Sequence, residues 1–87
     1  MDKSIASDQY RVFLRELRAA RKRSGMTQVD LAAKIGETQS FVSKCERGER
    51  RLDIVEVRAI CQAFGSTLAA FSGHLEKVLG RHAGKGG

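Results

Sequence analysis

The sequence predicts an all-α fold of five short helices around one core. Its 87 residues include no proline, and the 41% apolar and 30% charged content is typical of a folded globular domain. Few stretches alternate apolar and polar residues as a half-buried strand would. Glycines follow the successive helical segments, at positions 25, 36, 48 and 65, where a left-handed residue commonly ends a helix. A chain of this length has room for only one modest core.

Helix one is predicted from a stripe of apolar residues at three- and four-residue steps. The stripe consists of Tyr10, Phe13, Leu14 and Leu17. Ser7 is the predicted N-cap, and residues 1–7 are predicted to be a flexible N-terminus. The helix is also very basic, since it carries Arg11, Arg15, Arg18, Lys22 and Arg23. Only some of these side chains can face one partner, so for each of them a solvated surface is the simpler interpretation.

A capping box defines the start of the second helix, and the third helix follows it. Thr27 and Asp30 have the spacing of a capping box, with Asp in place of the commoner Glu, and place the start of helix two. Helix three is predicted from about Thr38 to Arg47.

The last two helices complete a single domain over residues 8–79. Asp53 and Glu56 form a second capping box, which begins helix four, and this helix ends near Phe64. Helix five is predicted from about Thr67 to Leu79. The glycine-rich and polar residues 80–87 are predicted to be a disordered tail.

Charge and cysteine content limit the class of protein. The net charge of +6 and the pI of about 9.9 favour a polyanionic partner, although many small basic proteins bind none. The first residues lack the apolar core of a signal peptide, and no apolar run approaches membrane-spanning length, so a cytoplasmic protein without a membrane contact is predicted. Cys45, Cys61, His74 and His82 form no recognisable metal spacing, so no metal is predicted. The two thiols are either small buried apolar groups or a redox switch that loosens helix three.

The spacing between helices two and three predicts a function. A small residue at Ala32 lets two helices cross closely, and Gly36 can adopt the positive φ of a tight turn. Val42 and Cys45 anchor the third helix on the core and turn its other face outward. This arrangement predicts a helix-turn-helix over residues 28–47, whose second helix lies in the DNA major groove.

Three segments between Leu14 and Gly65 are distinctive: "TQVDLAAKIG", "FVSKCERGERRLD" and "ICQAFG". The whole stretch resembles the lambda-repressor-like DNA-binding domain in its Cro-type (XRE) family. The resemblance implies a five-helix domain that needs no cofactor and binds operator DNA as a homodimer. It implies a sequence-specific regulator of transcription, which is expected to bind a palindromic operator and to repress transcription. The alternative within this fold is an antitoxin that neutralises a partner protein and regulates its own operon.

Catalysis and small-molecule binding are not predicted. The sequence has no nucleophile with a base at a plausible spacing, no phosphate-binding glycine-rich loop and no carboxylate pair in an apolar setting. It also has no second domain that would offer a pocket for an effector. The expected partner is therefore double-stranded DNA.

The outward face of helix three is predicted to read bases. Its polar residues are Gln39, Ser40, Ser43 and Lys44. Gln can pair bidentately with adenine, and Lys can donate to guanine acceptors. The resemblance places Gln39, Ser40 and Ser43 at base-reading positions. Phe41 either contacts a thymine methyl or a sugar, or shields the edge of the core. For the polar face as a whole, the alternative to base reading is an ordinary solvated helix surface.

Phosphate contacts are predicted on both sides of the groove. Gln28 opens helix two, where free backbone N–H groups and the helix dipole attract an anion. Arg47, Arg50 and Arg51 follow helix three and can clamp the backbone on the far side. Glu49 within that run weakens the positive field.

Two further sets of residues are assigned structural roles. Arg21 lies on the apolar stripe of helix one and Glu46 at the inner edge of helix three, so the two are predicted to form a partly buried salt bridge. Leu75, Val78 and Leu79 lie beyond the length that the small core covers, and are predicted to pair with the same helix of a second chain. The alternative is that helix five folds back after Gly73 and covers its own core.

Overall fold

The computed structural model describes residues 5–86, with the side chains of residues 8–81, and contains five α-helices. These are α1 (Ile5–Arg23), α2 (Gln28–Ile35), α3 (Gln39–Glu46), α4 (Ile54–Ala63) and α5 (Leu68–Gly86). No strand occurs in the part of the chain that is described. The predicted all-α class and the number of helices are therefore confirmed.

Reciprocal capping bonds fix where α2 and α4 begin. The hydroxyl of Thr27 accepts from the N–H of Asp30 and the Asp30 carboxylate accepts from the N–H of Thr27, both over 3.0 Å. Asp53 and Glu56 make the same two bonds at the start of α4. At the other end of α2, Gly36 has a φ of 71° and turns the chain towards α3. Both predicted capping boxes are confirmed.

Two predicted helix limits differ from the structure. Ser7 lies inside α1 and is not its N-cap. α5 continues past Leu79 to Gly86, through the segment predicted to be a disordered tail. The hydrogen bonds of a helix are local, so a helix can continue beyond the last residue that the core covers when no proline interrupts it. Residues 1–4 of the predicted flexible N-terminus, and Gly87, lie outside the described residues.

Every helix contributes to one core. Its buried residues are Leu17, Leu31, Ala32, Val42, Val57, Ile60, Cys61 and Phe71. Within it, α2 packs against α3 and α4, while α1 packs against α3 and α5. Because the helix-turn-helix shares this core with the other three helices, the orientation of α3 depends on the whole domain.

α5 is continuous through Gly73, so the predicted alternative of a fold-back at that residue is wrong. Phe71 is buried, and Leu75, one turn later, packs against the core. The prediction that Leu75 lies beyond the core is therefore wrong. Between Phe71 and Leu75 in sequence, His74 approaches α1, where its Nε2 lies 2.8 Å from Glu16 Oε1.

No single helix among the described residues is long and apolar enough to cross a membrane. Taken together, α4 and the part of α5 up to Arg81 have the length and composition of such a span, but the two helices are bent by 107° relative to each other.

Candidate nucleic-acid interface

α3 has one buried and one exposed face. Val42 and Cys45 are each only 3% exposed and hold the helix on the core. Thr38 caps its start by accepting from the N–H of Phe41 over 3.0 Å. The opposite face carries the predicted base-reading residues, of which Gln39, Ser40 and Lys44 are exposed and Ser43 is half-buried. The structure therefore brings these four side chains together on one outward surface.

A buried ion pair fixes α3 against α1. Arg21 Nε donates to Glu46 Oε2 over 2.7 Å and Arg21 Nη2 donates to Glu46 Oε1 over 3.0 Å, a bidentate geometry. The two side chains are only 7% and 10% exposed. Arg21 also donates to the backbone carbonyl of Met26 over 2.9 Å. The guanidinium thus joins α3 to the turn before α2.

The electrostatics of Glu46 favour its charged form. Burial raises the pKa of Glu46. The hydrogen bonds from Arg21 and Gln28 and the positive charges of Arg21 and Arg18 lower it by more than burial raises it, so that the pKa falls below its usual value of 4.5. Glu46 is therefore an anion at neutral pH, and the ion pair is intact there.

Hydrogen bonds extend from the ion pair to the exposed face of α3. Glu46 Oε1 accepts from Gln28 Nε2 over 2.9 Å, and Gln28 Oε1 in turn accepts from Gln39 Nε2 over 3.1 Å. The first side chain of α2 therefore holds the first side chain of α3. Sequence reasoning assigned Gln28 and Gln39 separate roles and missed this link. Its only signal was that each glutamine opens a helix of the helix-turn-helix.

The predicted phosphate-binding arginines already have partners within the chain. Arg47 makes two bonds to Glu49, at 2.9 and 3.2 Å, and also donates to the hydroxyl of Ser43. Arg50 makes two bonds of 2.8 Å to Glu56, the residue that also closes the α4 capping box. These contacts hold both guanidinium groups at the edge of the α3 surface.

Aromatic rings support the loop between α3 and α4. The guanidinium of Arg51 lies 4.1 Å from the ring centre of Tyr10, whose hydroxyl accepts from the N–H of Leu52 over 3.1 Å. The guanidinium of Arg50 lies 4.7 Å from the ring centre of Phe41. Tyr10 was predicted only as a core residue, because nothing in the sequence relates it to a loop 42 residues later.

Phe41 is half-buried and packs against the core cluster. This packing, with Arg50 over the ring, accounts for the interpretation that Phe41 shields the core edge. Contact of Phe41 with DNA stays a prediction.

Comparisons with known proteins agree with this geometry. A helix-turn-helix family model matches residues 17–71, which run from the middle of α1 into α5. The solved structure of an XRE-family like protein from Pseudomonas syringae pv. tomato str. DC3000 is 42% identical, with a TM-score of 0.80 over 85% of this chain and 90% of that chain. No curated protein sequence matches significantly. The chain belongs to the XRE family of helix-turn-helix proteins.

Membership of the XRE family sets the class of function. Proteins of this family are DNA-binding regulators of transcription and are typically not enzymes. The chain is accordingly a DNA-binding regulator, and the exposed face of α3 is its candidate nucleic-acid interface.

Both cysteines of this XRE-family protein are free and buried. Burial raises the pKa of each thiol. At Cys45 the positive charge of Arg50 opposes this rise but does not cancel it. A raised pKa leaves little of the reactive thiolate at neutral pH. The geometry therefore favours the interpretation of Cys45 and Cys61 as small apolar core groups, and the redox switch stays a prediction.

Proposed function

We propose that this protein is a sequence-specific transcription regulator that binds a palindromic operator as a homodimer. By occupying promoter DNA it represses transcription, and it does so in the cytoplasm, without a cofactor. The observation that carries the proposal is the outward polar face of α3, held in place by Val42 and Cys45 beneath it and by the Arg21–Glu46 pair at its end. A recognition helix needs such a rigid support to place side chains against base edges.

Gln39 is proposed to read adenine. A glutamine amide has two N–H donors and one carbonyl acceptor, and one donor of Gln39 is used by Gln28. The second donor and the carbonyl remain, and these are the two groups that pair with N7 and N6 of adenine. Gln28 thereby sets the orientation of the amide before DNA arrives. Ser40, Ser43 and Lys44 are proposed to contact bases further along the same face.

The phosphate contacts are proposed to come from Gln28, Arg47, Arg50 and Arg51. The Arg47–Glu49 pair does not prevent this role, because its side chains are 54% and 55% exposed and such surface pairs contribute little stability. A guanidinium also has five N–H donors, so a phosphate can bind Arg47 or Arg50 beside the carboxylate. The carboxylates keep these arginines oriented in the free protein.

Selection of bound sites from random duplex DNA tests the proposal. We expect an enriched palindrome whose half-site centres lie about one helical turn, ~34 Å, apart, as two symmetry-related recognition helices require. Enrichment of an asymmetric single site would contradict the homodimeric mode. No enrichment over random sequence would contradict sequence-specific binding.

Variants then separate base reading from phosphate binding. Gln39→Ala should change the preferred base at one position of each half-site, with a loss of about 1–3 kcal/mol on the selected operator. Arg51→Ala should weaken binding to every duplex alike and reduce the salt slope by about 0.9 for each lost ionic contact. Arg51 is the better choice for this comparison because Arg47 also holds Ser43. Equal losses of Gln39→Ala on operator and random DNA would refute its assignment as a base reader.

A further inference from the structure

α1 carries a row of exposed cations that the helix-turn-helix does not use. Their spacing of four, three and four residues places them on one face of the helix. We call this face the basic stripe; it consists of Arg11, Arg15, Arg18 and Lys22, all exposed.

The positive charge of the protein is concentrated in α1. This helix contains six basic and two acidic residues, a net charge of +4 out of the +6 of the whole chain. In contrast, α2, α3 and α4 each contain one basic and one acidic residue and are neutral. Even without the buried Arg21, whose charge Glu46 neutralises, α1 keeps the largest net positive charge of the five helices. It is therefore the helix that attracts a polyanion most strongly.

The basic stripe lies beside the DNA-facing surface. Leu14, on the adjoining side of α1, reaches to within 3.4 Å of the position that a Cβ on Gly48 would take, just after α3. Arg18 is one turn after Leu14 and is close enough to Glu46 for its charge to act on that carboxylate. Another side of α1 binds α5 through Glu16 and His74. The stripe thus adjoins the α3 side of α1 at Arg18, while at Arg15 it lies next to Glu16, the residue that binds α5.

Most of the stripe is not neutralised by the protein itself. Among the described residues, no carboxylate lies within ion-pair distance of Arg11, Arg18 or Lys22. Arg15 makes one contact of 3.3 Å with the adjacent Glu16, and its side chain is 63% exposed. The arginines around α3 differ, since Arg47 and Arg50 are each bound to a carboxylate.

We propose that the basic stripe binds the phosphate backbone of the DNA that flanks the half-site under α3. The inference rests on the proposed function, because it takes the duplex to be positioned by α3. The stripe offers a row of guanidinium and ammonium groups with no hydrogen-bond acceptor, which complements phosphate and reads no base. It therefore adds affinity and salt dependence, and leaves the sequence preference to Gln39 and its neighbours.

The test compares two triple variants that lose the same charge. Arg11→Gln, Arg15→Gln and Arg18→Gln neutralise the stripe, while Arg58→Gln, Lys77→Gln and Arg81→Gln neutralise three exposed cations of α4 and α5. Affinity is measured against salt on the selected operator cut at the outer ends of its half-sites, and on the same operator extended by one helical turn (~10 bp) on each side. Circular dichroism melting checks that both variants remain folded.

We expect the stripe variant to lose affinity on the extended duplex, with the salt slope reduced by about 0.9 for each lost phosphate contact. On the short duplex it should behave like the control variant. Equal losses for the two variants, or equal losses of the stripe variant on both lengths, would overturn the inference. If the wild-type protein does not prefer the operator to mixed-sequence DNA, the proposed function is refuted. In that case the affinities of the two variants for a long mixed-sequence duplex still show whether the stripe binds phosphate.

Discussion

Glu46 joins three helices through one carboxylate. Its oxygens accept from Arg21 of α1 and Gln28 of α2, while its own backbone ends α3. Removing two charges from water is costly, so the geometry must recover that cost through hydrogen bonds. No buried side-chain nitrogen or oxygen in the described part of the chain lacks a partner, which meets this requirement.

Glu46→Gln should destabilise the protein strongly, because it leaves the buried Arg21 without a counter-charge. Loss of one partner of a buried pair costs ~3–5 kcal/mol, and urea unfolding near neutral pH measures it. Glu49→Gln is the matched control, since it breaks an exposed pair with Arg47. An unchanged free energy of unfolding for Glu46→Gln would contradict a structural role for the pair.

The same variant has a defined pH dependence. The folded-state pKa of Glu46 lies below 4.5, so its charge stabilises the fold above about that pH, and this stabilisation is lost as the pH falls through the lowered pKa. The stability difference between the wild type and Glu46→Gln should therefore be constant at neutral pH and should narrow below pH 4.5. If the stability difference between the two proteins instead stays constant below pH 4.5, the charge of the Glu46 carboxylate is not the source of the stabilisation.

Single residues were predictable from the sequence where their type conflicts with their position. Arg21 on an apolar stripe and Glu46 beside the buried Cys45 both need a partner, and the structure pairs them. The Gln28–Gln39 bond had no such conflict, because both residues are polar at positions expected to be exposed. The Tyr10–Leu52 bond depends on the packing of α1 against a distant loop, which spacing along the chain does not encode.

The inner limits of the helices were predicted more closely than the two outermost limits, the start of α1 and the end of α5. Capping boxes are local in sequence, so Thr27 and Asp53 define the starts of α2 and α4 directly. The outer ends of α1 and α5 have no comparable signal. The sequence offered Ser7 as a cap for α1 and the last apolar residue as a limit for α5, and the helix continues beyond each of them.

α5 contains a glycine that costs stability without serving the fold. Gly73 lies within the helix, and a Cβ added there would meet no atom within 4 Å. Gly73→Ala should raise the free energy of unfolding by about 0.5–1 kcal/mol, because alanine loses less conformational entropy in a helix. Gly36→Ala is the contrasting variant, because its φ of 71° makes an L-residue unfavourable by about 1–2 kcal/mol. If Gly73→Ala lowers the melting temperature, α5 is not a continuous helix in solution.

Two apolar surfaces of the molecule are available for a second copy. Val78 and Leu79 on α5, the predicted dimer contacts, are half-buried, and their neighbour Leu75 is already used by the core. At the start of α4, Ile54 and Val55 are 68% and 72% exposed. On α1, Val12 is only 5% exposed and therefore does not contribute such a surface.

We expect the homodimer to form through α5, since a helix of this length can pair with itself across a two-fold axis and bury its apolar end. Val78→Glu with Leu79→Glu should therefore give a folded monomer in sedimentation, with operator affinity strongly reduced and helicity retained. These positions are chosen because a charge at Leu75 would also disturb the core. Ile54→Glu with Val55→Glu is the matched control and should remain dimeric. If the control becomes monomeric and the α5 variant does not, the dimer forms at the start of α4.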